Sequence, residues 1–203
     1  MSDTVTLANL MISKLCHDIA APMGAMGLGL EMLFDNTQKQ KFDQETKDLI
    51  MGSLDSFKTR LRIFRALFST EFDGPSFNIV KDILVSLGPA HKLQINTQSI
   101  PSGAPCKILL GLTYMSTEAL VRGGTITIDY LDGSDSDIQI MAEGSIAWLR
   151  PEYVETLGDN PHSSDDQTPR TILPYYLRLL ASDINKKIVY TPVNPNKFYL
   201  VVS

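Results

Sequence analysis

The feature that most constrains the fold is a pair of apolar helical seams at the start of the chain. Leu7, Met11, Leu15, Ile19, Pro22 or Met23, Met26, Leu30 and Leu33 recur at steps of three and four residues, drawing a stripe along one long helix. After the polar stretch DNTQKQKF, with Asp43 as candidate N-cap, the period returns as Ile50, Leu54, Phe57, Leu61, Phe64 and Phe68. This is the pattern of a helical hairpin over residues 1–72. Two helices alone cannot bury two full-length seams, so the expected solution is a homodimer closing a four-helix bundle.

At EFDGPS, residues 71–76, a Gly-Pro pair interrupts the period and marks a hinge. In residues 73–203 helical and strand periods alternate. NIVKDILVSL, PCKILLGLTYMSTEALVR (ended by Gly123-Gly124) and LPYYLRLLASDI read as helices. KLQINTQ, TITIDYL, DIQIMA, KKIVYTP and KFYLVV read as strands, with turns at DGSD and VNPN. That order predicts a two-layer α/β sandwich, with helices on one face of a mixed sheet. The whole is therefore an α + α/β chain.

Composition narrows the function classes. A net charge of -5 argues against a nucleic-acid partner, and no apolar run is long enough for a membrane span. The N-terminus lacks the basic and apolar regions of a signal peptide, which points to the cytoplasm. Cys16 and Cys106 have no partners at metal-ligand spacing, and neither do His91 and His162, so no bound metal is expected. Trp148 and Tyr175-Tyr176 are expected in the core or as caps, and Asp165-Asp166 in a mobile loop.

His17 departs from the first seam. At about 100° per residue it lies about 200° around from Leu15 and faces water. Its helical neighbours Ser13, Lys14, Ala20, Ala21 and Gly24 form a clearing of small side chains with one cation. Asp18 can accept from the ring Nδ1–H, which leaves the Nε2 lone pair pointing outward as a nucleophile. Cys16 points about 100° away, so a Cys-His pair is not formed. Pro22 removes a helix hydrogen bond and is expected to kink the helix after the site.

The stretch H-D-I-A-A-P, His17–Pro22, resembles the H-[DE]-[LI]-x-x-P phosphoacceptor box of histidine-kinase dimerisation domains, on the first helix of a hairpin. ILLGLTYMSTEALVRGGTITI resembles the helix and strand around the N-box of the kinase ATP-binding domain. Against that pattern, Gly111 and Met115 stand where kinases place two asparagines, and neither suits Mg²⁺. Ala142-Glu143-Gly144 replaces the adenine-reading D-x-G. HSSDDQTPRTI, residues 162–172, replaces the phosphate-cradling glycines and brings two acids. Whether the loop 159–170 closes over a residual pocket stays open.

Hairpin plus degenerate ATP-binding fold is similar to the ChpT-type histidine phosphotransferases of cell-cycle phosphorelays. The resemblance implies that His17 takes a phosphoryl group from the receiver aspartate of a hybrid kinase and passes it to a response-regulator receiver, with Asp18 assisting and no ATP used. It also implies that Mg²⁺ arrives with the receiver and that this chain binds no cofactor. Ala21 stands where kinases often place Thr or Asn that can position a hydrolytic water, which implies little hydrolysis. Docking is expected around His17: the clearing residues Ser13, Lys14, Ala20, Ala21 and Gly24, apolar Met23, Met26 or Leu28, and Lys58, Arg60, Arg62 and Arg65 of the second helix. An atypical autophosphorylating kinase and a non-catalytic regulator-binding module are the competing readings.

Overall fold

The computed structural model describes residues 3–34, 44–68, 77–86, 91–97, 99, 101–131, 137–158 and 164–203. The candidate cap Asp43, the hinge 71–76, the boundary at residue 72, the turn DGSD and His162 all lie outside them. The two segments of helical period form helices α1 (Asp3–Phe34) and α2 (Gln44–Phe68), and α1 stays helical across Pro22. They pack along each other, and Gly29 is needed at their contact, because a Cβ there would lie 2.6 Å from Ile50 Cγ1. The last turns of α2 continue into the second half of the molecule: Ile63, Ala66 and Leu67 belong to its hydrophobic core.

That core lies between a sheet and a layer of helices. After α3 (Phe77–Val85) come β1 (His91–Ile95), α4 (Gly103–Ala119), β2 (Gly124–Leu131), β3 (Asp137–Gly144), α5 (Pro151–Leu157), a 3-10 turn (Ser164–Asp166), α6 (Ile172–Asp183), β4 (Ile188–Asn194) and β5 (Lys197–Val202). The sheet order is β1-β2-β3-β5-β4, with β1 parallel to β2 and the other pairs antiparallel. Every second residue faces inward, giving Ile126 and Ile128, Ile138, Ile140 and Ala142, and Phe198, Leu200 and Val202. The mixed sheet and its single helical layer match the expected sandwich.

Three local expectations change. α4 stops at Ala119, and Val121-Arg122 form a turn before Gly123 adopts positive φ. Gly124 then presses against β3 so closely that a Cβ would run into the Glu143 carbonyl. α5 is a seven-residue helix opened by Pro151, too short to show a period in the sequence. Trp148, expected in the core or as a cap, is 52% exposed in the loop before it. Tyr175 is buried as expected, and Tyr176 stacks on Phe68 and donates to the Leu67 carbonyl at 3.0 Å, tying α6 to α2. Asp165-Asp166 sit in the 3-10 turn, which packs near α1. Among the described residues no helix is long and apolar enough to cross a membrane.

Candidate functional site

His17 stands on the outside of α1 with its side chain 72% exposed. The helical wheel produces the clearing: Ser13, Ala20, Ala21 and Gly24 are all exposed around the ring, and a Cβ at Gly24 would meet nothing within 4 Å. One residue on, the wheel turns inward. Asp18 is 4% exposed, and its Oδ1 lies 3.1 Å from His17 Nδ1. An exposed imidazole thus sits directly beside a buried acceptor.

A buried carboxylate requires partners, and α1 and α4 supply them. Lys14, one turn earlier on α1, places Nζ 3.0 Å from Asp18 Oδ1 and 2.8 Å from Oδ2. Tyr114 of α4 donates its hydroxyl to Asp18 Oδ2 at 3.3 Å. Lys14 Nζ also lies 3.8 Å from Glu118 Oε1, and Glu118 accepts from the Tyr153 hydroxyl of α5 at 3.0 Å. Burial, followed by the negative charges of Glu118 and Asp18, raises Tyr114 far above the usual phenol range, so it remains a proton donor. Burial and Glu118 do the same for Tyr153.

Two expected docking residues therefore take other places. Lys14 does not stand in the clearing; it shares the inward face of α1 with Asp18 and is taken up by buried Asp18 and half-buried Glu118. Arg60 is half-buried, with Nη1 donating to the Asp18 carbonyl at 3.1 Å and Nε to Ser56 Oγ at 3.4 Å. In a helix that carbonyl would accept from residue 22, which is proline and has no N–H. Arg60 fills the acceptor that Pro22 leaves open. Lys58, Arg62, Arg65, Met23 and Leu28 are exposed, whereas Met26 is half-buried. Tyr114, Glu118 and Tyr153 carried no sequence signal beyond being polar groups in an apolar segment.

Gly111 and Met115, at the positions of the N-box resemblance, are packing positions. Met115 is fully buried. Gly111 lets α6 lie directly on α4, since a Cβ there would be 2.5 Å from Leu177 Cδ2. Glu143 is exposed on β3 with Lys197 Nζ 3.4 Å away. A cleft of about 490 Å³ lies elsewhere, between α5, α6 and β4, lined by Val154, Gly158, Arg178, Lys186 and Tyr190 among others. The residues beside His17 do not fit a resident Mg²⁺, because both oxygens of Asp18 are engaged by His17, Lys14 and Tyr114. Cys106 is a core thiol that burial pushes up to about 11, and Cys16 is exposed. His91 opens β1 with Nε2 3.2 Å from the Leu120 carbonyl oxygen, and among the described residues no cluster of three acids, histidines or cysteines is placed to hold a metal.

A helical hairpin that displays His17 is joined to a two-layer α/β sandwich, and its relatives place the chain among the phosphotransferases. The chain belongs to the histidine phosphotransferase family, whose C-terminal domain matches residues 86–194. It is 28% identical over 192 residues to the protein phosphotransferase ChpT of Brucella abortus (strain 2308), covering 90% of this chain and 88% of that one. A solved bacterial phosphotransferase shares the fold with a TM-score of 0.82 at 22% identity, over 98% of this chain and 96% of that one.

Proposed function

We propose that His17 is the phosphoacceptor of this phosphotransferase, receiving a phosphoryl group from the aspartyl phosphate of a hybrid-kinase receiver and handing it to a response-regulator receiver in the cytoplasm. The observation that carries the reading is the exposed ring with Nδ1 on the buried Asp18. That contact favours the tautomer whose Nε2 lone pair faces solvent. Nε2 attacks phosphorus, the N–P bond forms as the aspartyl P–O bond breaks, and the receiver recovers its carboxylate. The ring keeps its Nδ1 proton and becomes cationic, a charge that Asp18 offsets. In-line positioning and charge neutralisation dominate such transfers, and Mg²⁺ is expected to come with the receiver. The exposed Ser13, Ala20, Ala21 and Gly24 leave room for a partner's active site.

The proposal includes a homodimer. Val5, Ile12, Met23 and Leu30 are exposed apolar residues within about 20° of one another on the α1 wheel. Single apolar residues on a surface are ordinary, but a stripe along a helix asks for a covering partner. A second hairpin closing a four-helix bundle supplies it, and His17, about 120° from the stripe, stays open. The test of the function is to mix the chain with a receiver phosphorylated on aspartate and follow the label. Transfer to the wild type, none to His17→Ala, and no labelling by ATP alone are expected; label on His17→Ala contradicts the reading.

A further inference from the structure

We propose that Tyr114 is a positioning residue for transfer at His17, so that the α/β half of the molecule contributes to the chemistry through a hydroxyl group. The inference rests on His17 as phosphoacceptor. Its starting point is a geometric difficulty. Adjacent residues on a helix diverge by about 100°, so a free aspartate next to a histidine spends little time under the ring. Here the carboxylate is held from two sides. Lys14 grips both oxygens from within α1, and Tyr114, 96 residues away in the chain, ties Oδ2 from α4. With Oδ2 anchored, the plane of the carboxylate is set and Oδ1 is turned toward His17 Nδ1 at 3.1 Å.

The anchor is itself supported. Tyr114 is 5% exposed and sits in the core, so its ring has one place to be. Glu118, one turn further along α4, shares Lys14, and Tyr153 holds Glu118 in turn. Lys14 partly neutralises Asp18, while Tyr114 adds direction without charge. Moving the two halves of the molecule apart would release Asp18 from Tyr114 and leave the His17 ring free to change tautomer. The α/β half of the molecule thus fixes the proton on the nucleophile.

The test compares full-length Tyr114→Phe, which keeps the buried ring and deletes only the hydroxyl, with wild type. With a phosphorylated receiver, the transfer rate at saturation is expected to fall about three- to tenfold, the net worth of one ordinary hydrogen bond, with KM for the receiver unchanged. The ¹⁵N shifts of the His17 ring should show a loss of the Nδ1–H tautomer, a measurement that needs no phosphate. In an Asp18→Ala background, Tyr114→Phe should have no further effect, because it acts through Asp18. Tyr176→Phe, which removes a hydroxyl that ties α6 to the Leu67 carbonyl of α2 and lies outside the Asp18 network, should keep the wild-type tautomer. A wild-type tautomer and rate in Tyr114→Phe overturns the proposal, as does an undiminished effect in Asp18→Ala or an equal tautomer shift in Tyr176→Phe. Failure of the underlying reading is separate: His17→Ala would then still accept the phosphoryl group.

Discussion

Pro22 takes one hydrogen bond out of α1 on the turn that follows His17, and the carbonyl it strips belongs to Asp18. The helix nevertheless continues, because the Arg60 guanidinium reaches across from α2 to that oxygen. Pairing proline with arginine gives the backbone of Asp18 a fixed partner while its side chain is fixed by Lys14 and Tyr114. Arg60→Met keeps most of the aliphatic bulk and removes the donor, leaving a half-buried carbonyl unsatisfied. It is expected to cost about 1–3 kcal/mol. Thermal unfolding should register a drop of several degrees, whereas Arg62→Met, at an exposed position, should leave the melting temperature unchanged.

Between elements, the decisive contact is the one α6 makes with α4. Gly111 permits it, and Leu177, fully buried, has no space into which to retreat. Gly111→Ala gains helix propensity but overpacks this crossing, and a net destabilisation of about 1–2 kcal/mol is expected in denaturant titration. Unchanged stability would mean that α6 does not rest on Gly111. Elements of this kind also decide what a sequence reveals. The hairpin was legible because its seams repeat every three or four residues over many turns, and the strands because their apolar residues alternate. His17 and Asp18 were legible as a local departure from the seam. Lys14 was legible only as a nearby cation, because its inward turn depends on Glu118 from another helix. Tyr114 and Tyr153 left no trace for the same reason: a contact across 96 residues has no local period. α5 was missed because seven residues give less than two turns of pattern.

Across the whole molecule, two faces of α1 divide the work. One packs on α2 and holds Asp18, whose carboxylate meets Tyr114 of α4; the other carries the apolar stripe, and His17 lies between them. If a second copy covers the stripe, a charge within it should split the assembly without reaching the site. Leu30→Glu is expected to sediment as a species of the 22.5 kDa chain mass where wild type sediments at twice that; equal sedimentation of the two contradicts the bundle. Its His17 ring tautomer should be that of wild type, since the Asp18 network is contained within one chain. The central claim concerns one atom, and the most direct measurement asks which atom carries the phosphoryl group. After reaction with a phosphorylated receiver, NMR of the intact labelled protein should place phosphorus on Nε2 of His17, with Nδ1 still protonated toward Asp18. Phosphorus on Nδ1, or on any other residue, would contradict the account.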